Sequence, residues 1–179
     1  MKIGQVLQSL ADTSRQENVP FIVVGGWALN AHGVSRQTLD IDILVRDADL
    51  AVFESILSGF GYSKVYSTEL FAKFRSDEHH LMDIDCLMTD AGTLEKMLTE
   101  SQVGKIGDVQ FAIPALSHLI AMKLHALKHN FDRRHGRDLP DIVGLVEVNG
   151  VDVHTDDFKN LCLSFGTKEL YEEIVKAVF

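Results

Sequence analysis

A pair of glycines followed at a fixed distance by two aspartates constrains this chain most. Gly25 and Gly26 come directly after the apolar run from Phe21 to Val24, which is typical of a short buried strand entering a tight turn. After thirteen intervening residues, the segment from Asp40 to Val45 alternates, with Asp40 and Asp42 on one face and apolar side chains on the other. We therefore expect two strands, one ending in a glycine turn and one carrying two carboxylates.

Both parts of this pattern suit the binding of phosphate and metal. Two glycines after a strand let backbone N–H groups approach phosphate oxygens, and the short helix expected from Trp27 to His32 adds partial positive charge at its start. Two carboxylates at positions i and i+2 of a strand project the same way, so Asp40 and Asp42 can hold a hard cation such as Mg²⁺. The pattern therefore predicts a metal site beside a phosphate cradle.

The remaining periodicity predicts an α/β (α+β) fold, with a mixed sheet flanked by helices and a helical C-terminal part. From a length of 179 residues we expect a single domain, with the sheet in residues 1–113 and helices in 114–179. Pro140 is expected to open a helix at its first turn. Other strands are expected in 62–75, 80–88 and 109–113, and other helices in 1–16, 47–57, 115–131, 155–163 and 167–178.

Charge and cysteine content narrow the classes of function. A net charge of −9 argues against a protein that coats nucleic acid by bulk electrostatics. Between Ser117 and Arg137, however, five basic residues and one acid give a local charge of +4, which is either a docking surface for an anion or a solvated helix end. Cys86 and Cys162 form no CxxC pair, and no leader or membrane span is evident, so we expect a cytoplasmic protein without membrane insertion.

The string Val23-Val24-Gly25-Gly26-Trp27-Ala28-Leu29, followed by Arg36-Gln37-Thr38-Leu39-Asp40-Ile41-Asp42, resembles the nucleotidyltransferase superfamily that includes DNA polymerase β. It is most similar to the minimal bacterial branch containing AbiEii-like toxins. The resemblance covers about residues 21 to 141. It implies a nucleotidyltransferase fold, Mg²⁺ or Mn²⁺ as cofactor, and transfer of a nucleoside monophosphate from a nucleoside triphosphate to an acceptor hydroxyl. Arg36 and Thr38 would orient the loop or touch phosphate.

The resemblance also implies a third carboxylate on a separate strand, and Met82-Asp83-Ile84-Asp85-Cys86 offers two candidates. We prefer Asp85, although Asp83 also stands between apolar residues on the same strand face. Lys73 and Arg75 come before them on one face of an expected strand. They either meet phosphates or pair with neighbouring acids, and we prefer the pairing.

A later segment resembles a second motif of the family, in which a helical lysine precedes an Arg-Asp-x-x-Asp run. Here these are Lys123 and Arg137-Asp138-Leu139-Pro140-Asp141. Lys123 falls inside an apolar helical stripe, so it must reach either a carboxylate such as Asp138 or Asp141, or the triphosphate pocket. We favour the pocket. For the two aspartates, capping of a helix start is the preferred explanation.

Several acceptors are compatible with these residues. The branch resemblance suggests RNA, such as a tRNA end, or a protein side chain, as in toxin–antitoxin systems with a cognate antitoxin as partner. Antibiotic-modifying nucleotidyltransferases share the motif, so a small drug is a further candidate. The alternative to an enzyme is a non-catalytic member of the family, such as an antitoxin or regulator that binds nucleotide or protein.

Overall fold

The computed structural model describes residues 3–78 and 80–178, and contacts divide the chain into two units. The first unit comprises residues 1–28 and 36–114, and the second comprises residues 29–35 and 115–179. The first contains all of the described strands, and the second contains four long helices. The predicted class, a mixed sheet with helices and a helical C-terminal part, is confirmed.

The first unit is built on a five-stranded sheet. Its helices are α1 (Ile3–Glu17), α3 (Leu50–Gly59) and α4 (Ala91–Thr99), and α2 (Gly25–Ala31) begins in this unit. Its strands are β1 (Phe21–Val23), β2 (Asp40–Arg46), β3 (Tyr62–Ser67), β4 (Phe71–Ser76), β5 (Asp83–Thr89), β6 (Gln102–Ile106) and β7 (Val109–Ile113). The sheet order is β1-β2-β5-β4-β3, and β6 and β7 form a separate antiparallel pair.

The register of β2 against β5 decides which polar side chains meet. These two strands are parallel, whereas β1–β2, β5–β4 and β4–β3 are antiparallel. Asp40 is paired with Asp83, and Asp42 is paired with Asp85. Paired residues on adjacent strands face the same side of a sheet, about 4.8 Å apart. All four carboxylates therefore start from one face of two neighbouring strands.

The opposite face of these strands belongs to the hydrophobic core. Ile41, Ile43 and Ile84 are fully buried, as the alternation of the sequence predicts. They share one cluster with the apolar stripe of α1 and with two side chains of α3; the helix members are Val6, Leu7, Leu10, Phe53 and Leu57. Burial of one face fixes the register, because a shift by one residue would place the aspartates in this core.

The second unit consists of α5 (Leu116–His129), α6 (Phe131–Val148), α7 (Asp156–Phe165) and α8 (Lys168–Ala177), together with residues 29–35. Thr155 and Thr167 cap α7 and α8, since each hydroxyl accepts a hydrogen bond from the backbone N–H three residues later. No helix in the described part of the chain is both long and apolar enough to cross a membrane.

The expectation that Pro140 opens a helix is wrong. Helix α6 begins nine residues earlier, at Phe131, and continues through Pro140. Proline inside a helix removes one backbone hydrogen bond and crowds the carbonyl four residues earlier, which costs about 3 kcal/mol. Here Pro140 lies on the exposed side, and its neighbours Leu139, Ile142, Leu145 and Val146 are buried. Their packing outweighs the local penalty.

Candidate active site

The glycine turn and the second aspartate of β2 are in direct contact. Gly25 has a φ of +61°, a conformation that side chains disfavour. A Cβ atom added to Gly25 would lie 1.9 Å from Asp42 Oδ2, and one added to Gly26 would lie 2.7 Å from Cβ of Thr38. Both glycines are therefore needed for space, because the turn lies against the strand that carries the carboxylates.

Four hydrogen bonds hold the start of β2 in position. The indole Nε1–H of Trp27 donates to the backbone oxygen of Asp40 at 3.2 Å. The hydroxyl of Thr38 lies 3.1 Å from the same oxygen and 2.9 Å from Oδ1 of the Asp40 side chain. The backbone N–H of Val24 donates to the oxygen of Asp42 at 2.9 Å. Trp27 and Thr38 therefore orient Asp40, and the half-buried Arg36 lies in the same loop.

Asp85 is the more buried of the two candidate third carboxylates. It is 9% exposed and lies beside Asp42 in the β2–β5 register, while Asp83 is half-buried. Burial raises the pKa of Asp85, and its bond with Lys73 opposes that rise. The charges of Asp40 and Asp83 add to the rise, and the net direction is upward. The carboxylates of β2 and β5 thus act on one another electrostatically.

Lys73 and Arg75 of β4 pair with these acids, as predicted. Nζ of Lys73 lies 3.1 Å from Asp85 Oδ1 and 3.2 Å from Asp83 Oδ2, and the Arg75 guanidinium lies 3.3 Å from Asp83 Oδ2. Burial on its own lowers the pKa of Lys73, but its hydrogen bonds and attraction to Asp85 and Asp83 outweigh burial and raise it. The ammonium is therefore firmly charged.

The second unit contains a buried ionic cluster. Lys123 donates to Asp138 at 3.0 Å and to Asp141 at 2.7 Å, and all three side chains are buried. Arg134 also binds Asp138, at 3.1 Å, and Arg137 approaches it to 3.6 Å. Of the two partners expected for Lys123, the structure shows the carboxylates. A nucleotide contact of Lys123 stays a prediction.

The expectation that Asp138 and Asp141 cap a helix start is wrong, because both lie inside α6 and bind Lys123. Burial alone raises the pKa of Asp138, but the charges and hydrogen bonds of Lys123 and Arg134 outweigh it and lower that pKa. Sequence reasoning missed Arg134 as a member of this cluster. Its spacing of four residues from Asp138 is the signal that could have identified it.

The donor set of the first unit fits a divalent cation. Carboxylate oxygens are the ligands that Mg²⁺ and Mn²⁺ prefer, and Asp40, Asp42 and Asp85 offer them from one face of two adjacent strands. As the described side chains stand, no group of three or more His, Cys, Asp or Glu residues is gathered into a metal site. Asp85 is instead bonded to Lys73.

Comparison with known proteins identifies a family. A family model described as "Uncharacterised nucleotidyltransferase" matches residues 3–176. No curated protein matches the chain in sequence.

Solved structures share the fold at low sequence identity. One is the structure of ANT(2″)-Ia in complex with adenylyl-2″-tobramycin, with a TM-score of 0.67, 14% identity and coverage of 90% of this chain and 97% of that one. Another is lincomycin-bound LnuA, a lincosamide antibiotic adenylyltransferase, with a TM-score of 0.55, 15% identity and coverage of 80% and 96%. The Megavirus polyadenylate synthase has a TM-score of 0.54 and 14% identity; 82% of this chain aligns with 31% of that enzyme.

Proposed function

The chain belongs to this nucleotidyltransferase family, and we propose that it uses a divalent metal to transfer a nucleoside monophosphate from a nucleoside triphosphate to an acceptor hydroxyl, with release of pyrophosphate. One observation carries the proposal. The β2–β5 register aligns Asp42 with Asp85 on the sheet face against which the Gly25 turn lies. Three carboxylates thereby share one sheet face beside a turn that carries no side chains.

The nucleotide is proposed to bind at the glycine turn. Gly25 and Gly26 present backbone without Cβ atoms, and Arg36 supplies a positive charge in the loop that leads to β2. Trp27 and Thr38 support this site indirectly, because their hydrogen bonds hold Asp40 in position. Lys123 is proposed as a further nucleotide contact on the resemblance alone. Arg137, Asp138 and Asp141 would act with it.

Asp40, Asp42 and Asp85 are the proposed ligands of Mg²⁺ or Mn²⁺, which when bound would neutralise phosphate charge and favour ionisation of the acceptor hydroxyl. Asp85 has the additional role of accepting the proton of that hydroxyl. Burial and neighbouring charge raise its pKa, and a carboxylate with a raised pKa is a stronger base. Lys73 holds its carboxylate in place, and Asp83 stays the alternative third carboxylate.

We propose RNA, such as a tRNA end, as the first candidate acceptor, and a protein side chain as an alternative to it. The protein would then act in a toxin–antitoxin system, with a cognate antitoxin as its partner. The support is the AbiEii-like sequence pattern and the exposed basic residues Lys128 and Arg133 of the +4 segment. The other basic residues of that segment, Lys123, Arg134 and Arg137, contact Asp138, which leaves less free positive charge than the sequence suggests.

A small antibiotic is the second candidate acceptor. Its support is the fold shared with ANT(2″)-Ia and LnuA, which act on antibiotics. A non-catalytic antitoxin or regulator is the remaining alternative. Retention of both Asp40 and Asp42 in a strand positioned by Trp27 and Thr38 argues against it.

The decisive experiment supplies each α-labelled nucleoside triphosphate with Mg²⁺ and either total RNA, total protein or a panel of aminoglycosides and lincosamides. Label entering one acceptor class identifies the substrate, and Asp42→Asn is the inactive control. Absence of label in every mixture, from a folded protein, would overturn the proposed transfer reaction and favour the binding module.

We also propose that the chain works as a single nucleotidyltransferase domain and that its compartment is the reducing cytoplasm. The two cysteines, Cys86 and Cys162, are both free and buried, which suits such a compartment. Differential scanning calorimetry tests the domain proposal. One cooperative transition supports it, and two separate transitions would contradict it.

A further inference from the structure

The ammonium group of Lys73 is hydrogen-bonded to Asp85, the proposed third carboxylate. Lys73 faces Asp85 directly in the β4–β5 register, and its Nζ bridges Asp85 Oδ1 and Asp83 Oδ2 at 3.1 and 3.2 Å. Three adjacent strands thus carry, on one face, Asp42 from β2, Asp85 from β5 and Lys73 from β4. A single fixed positive charge lies within hydrogen-bond distance of both acids of β5.

Lys73 differs in this respect from its neighbour Arg75. The Lys73 side chain is 25% exposed and touches both acids of β5, whereas Arg75 is 58% exposed and, of these two acids, touches Asp83. Asp83 therefore keeps a basic partner even without Lys73. Asp85 has Lys73 as its basic partner among the contacts that the described residues show.

A metal ion and an ammonium group compete for the same lone pairs on the carboxylate oxygens of Asp85. A carboxylate oxygen that accepts a charge-assisted hydrogen bond has less electron density to offer a cation, and the two positive charges repel each other at short range. A metal held by Asp40, Asp42 and Asp85 would therefore compete with Lys73 for the carboxylate of Asp85.

We infer that Lys73 is a built-in counter-ion of the third carboxylate, and that a divalent metal binds the nucleotide-free site only by displacing it from Asp85. Lys73 is thus a positioning residue that orients the carboxylate of Asp85 while no metal is bound. It makes metal binding depend on the triphosphate, whose negative charge compensates both cations. The inference rests on the proposed function, since it takes Asp40, Asp42 and Asp85 as the metal ligands.

The test measures Mn²⁺ binding to the nucleotide-free protein by electron paramagnetic resonance of the free ion. We expect Lys73→Met to bind Mn²⁺ about tenfold or more tightly than the natural chain, because a charge-assisted hydrogen bond no longer competes. Lys73→Arg keeps the charge and should retain weak binding. Arg75→Met removes a charge from the same strand without freeing Asp85, so its affinity should stay within about twofold of the natural value.

Lys73→Gln serves as a second neutral variant in case Lys73→Met does not fold, which circular dichroism reports. Unchanged or weaker Mn²⁺ binding in the folded neutral variant overturns the role of Lys73. An equal gain in Arg75→Met also overturns it, because general charge removal would then explain the effect.

Failure of the underlying function has a different signature. If neither the natural chain nor any variant binds Mn²⁺, with or without triphosphate, the metal ligands themselves are wrong. If Lys73→Met gains affinity but keeps the gain when Asp42→Asn is added, the ion binds elsewhere, and both the ligand set and the inference fail.

Discussion

The carboxylate of Asp42 lies against the α-carbon of Gly25, so closely that a Cβ atom there would be 1.9 Å from Oδ2. Gly25 also has a positive φ. A substitution by alanine therefore meets two separate obstacles, one in the backbone and one in the space occupied by Asp42. A side chain at position 25 would therefore have to displace the carboxylate of Asp42.

We accordingly expect Gly25→Ala to lower the free energy of unfolding by more than the roughly 1–2 kcal/mol that a left-handed alanine costs. The displaced Asp42 should also weaken triphosphate binding. Urea denaturation and nucleotide titration measure the two effects.

Gly61→Ala is the matched control for this substitution. Gly61 has a φ of +77°, but nothing lies within 4 Å of the position of its Cβ. It therefore carries the backbone cost alone. Equal losses of stability in the two variants would show that Asp42 moves aside freely.

Asp42→Asn tests the proposed metal site. The amide preserves size but removes a charged ligand, so nucleotidyl transfer and triphosphate-dependent Mn²⁺ binding should collapse. The melting temperature should change little. Asp108→Asn, an exposed residue in the β6–β7 turn, is the control and should keep full transfer. Full activity in Asp42→Asn would end the proposed role of this residue.

Local sequence patterns were sufficient to predict β1 and β2, the two strands next to the glycine turn. Strict alternation from Asp40 onward predicted β2 and its two faces, and the apolar run before Gly25 predicted β1. What decides the site, however, is the pairing of Asp42 with Asp85 across strands that are far apart in sequence. Local periodicity carries no information on that register, so it could not distinguish Asp83 from Asp85, and the preference for Asp85 depended on the family resemblance.

Elements with weak patterns were missed for physical reasons. Helix α4 buries only Leu94 and Met97, and β6 buries only Gly104 and Ile106, so each has too few buried apolar side chains for a clear hydrophobic pattern. In α6, Pro140 and Gly136 are strong local signals against a helix. The packing of Leu139, Ile142, Leu145 and Val146 overrides them, and that packing depends on tertiary structure.

Lys123→Met is expected to destabilise the second unit strongly. Removing the ammonium leaves the buried carboxylates of Asp138 and Asp141 without the cation that they share, and breaking a buried ion pair costs about 3–5 kcal/mol. Adding Asp141→Asn should restore part of the loss. Lys128→Met, on the exposed side of the same helix, should stay within about 0.5 kcal/mol of the natural chain. Urea denaturation would contradict this expectation if both lysine variants were equally stable.

The same cluster predicts how stability depends on pH. The pKa of Asp138 is lowered in the folded protein, so its contribution is complete above the unfolded value of about 3.9 and is lost as the pH falls through the folded value. Unfolding free energy should therefore decrease below about pH 4, and less steeply in Asp138→Asn than in the natural chain. Asp108→Asn should follow the natural chain. Identical slopes for all three proteins would remove Asp138 as a source of acid sensitivity.

The final prediction separates the two acids of β5. Asp85 is buried, aligned with Asp42 and held by Lys73, whereas Asp83 is partly exposed and shared between Lys73 and Arg75. Asp85→Asn should therefore reduce transfer by about 10²–10⁴, the usual contribution of a general base, while triphosphate binding survives.

Asp83→Asn should leave transfer within a few-fold of the natural rate, because Asp83 is engaged by two basic side chains and is not needed as a proton acceptor. Assaying both variants side by side, for transfer and for nucleotide binding, makes each the control of the other. A transfer defect confined to Asp83→Asn would reverse the assignment. It would then place the third carboxylate beside Asp40, its partner in the β2–β5 register.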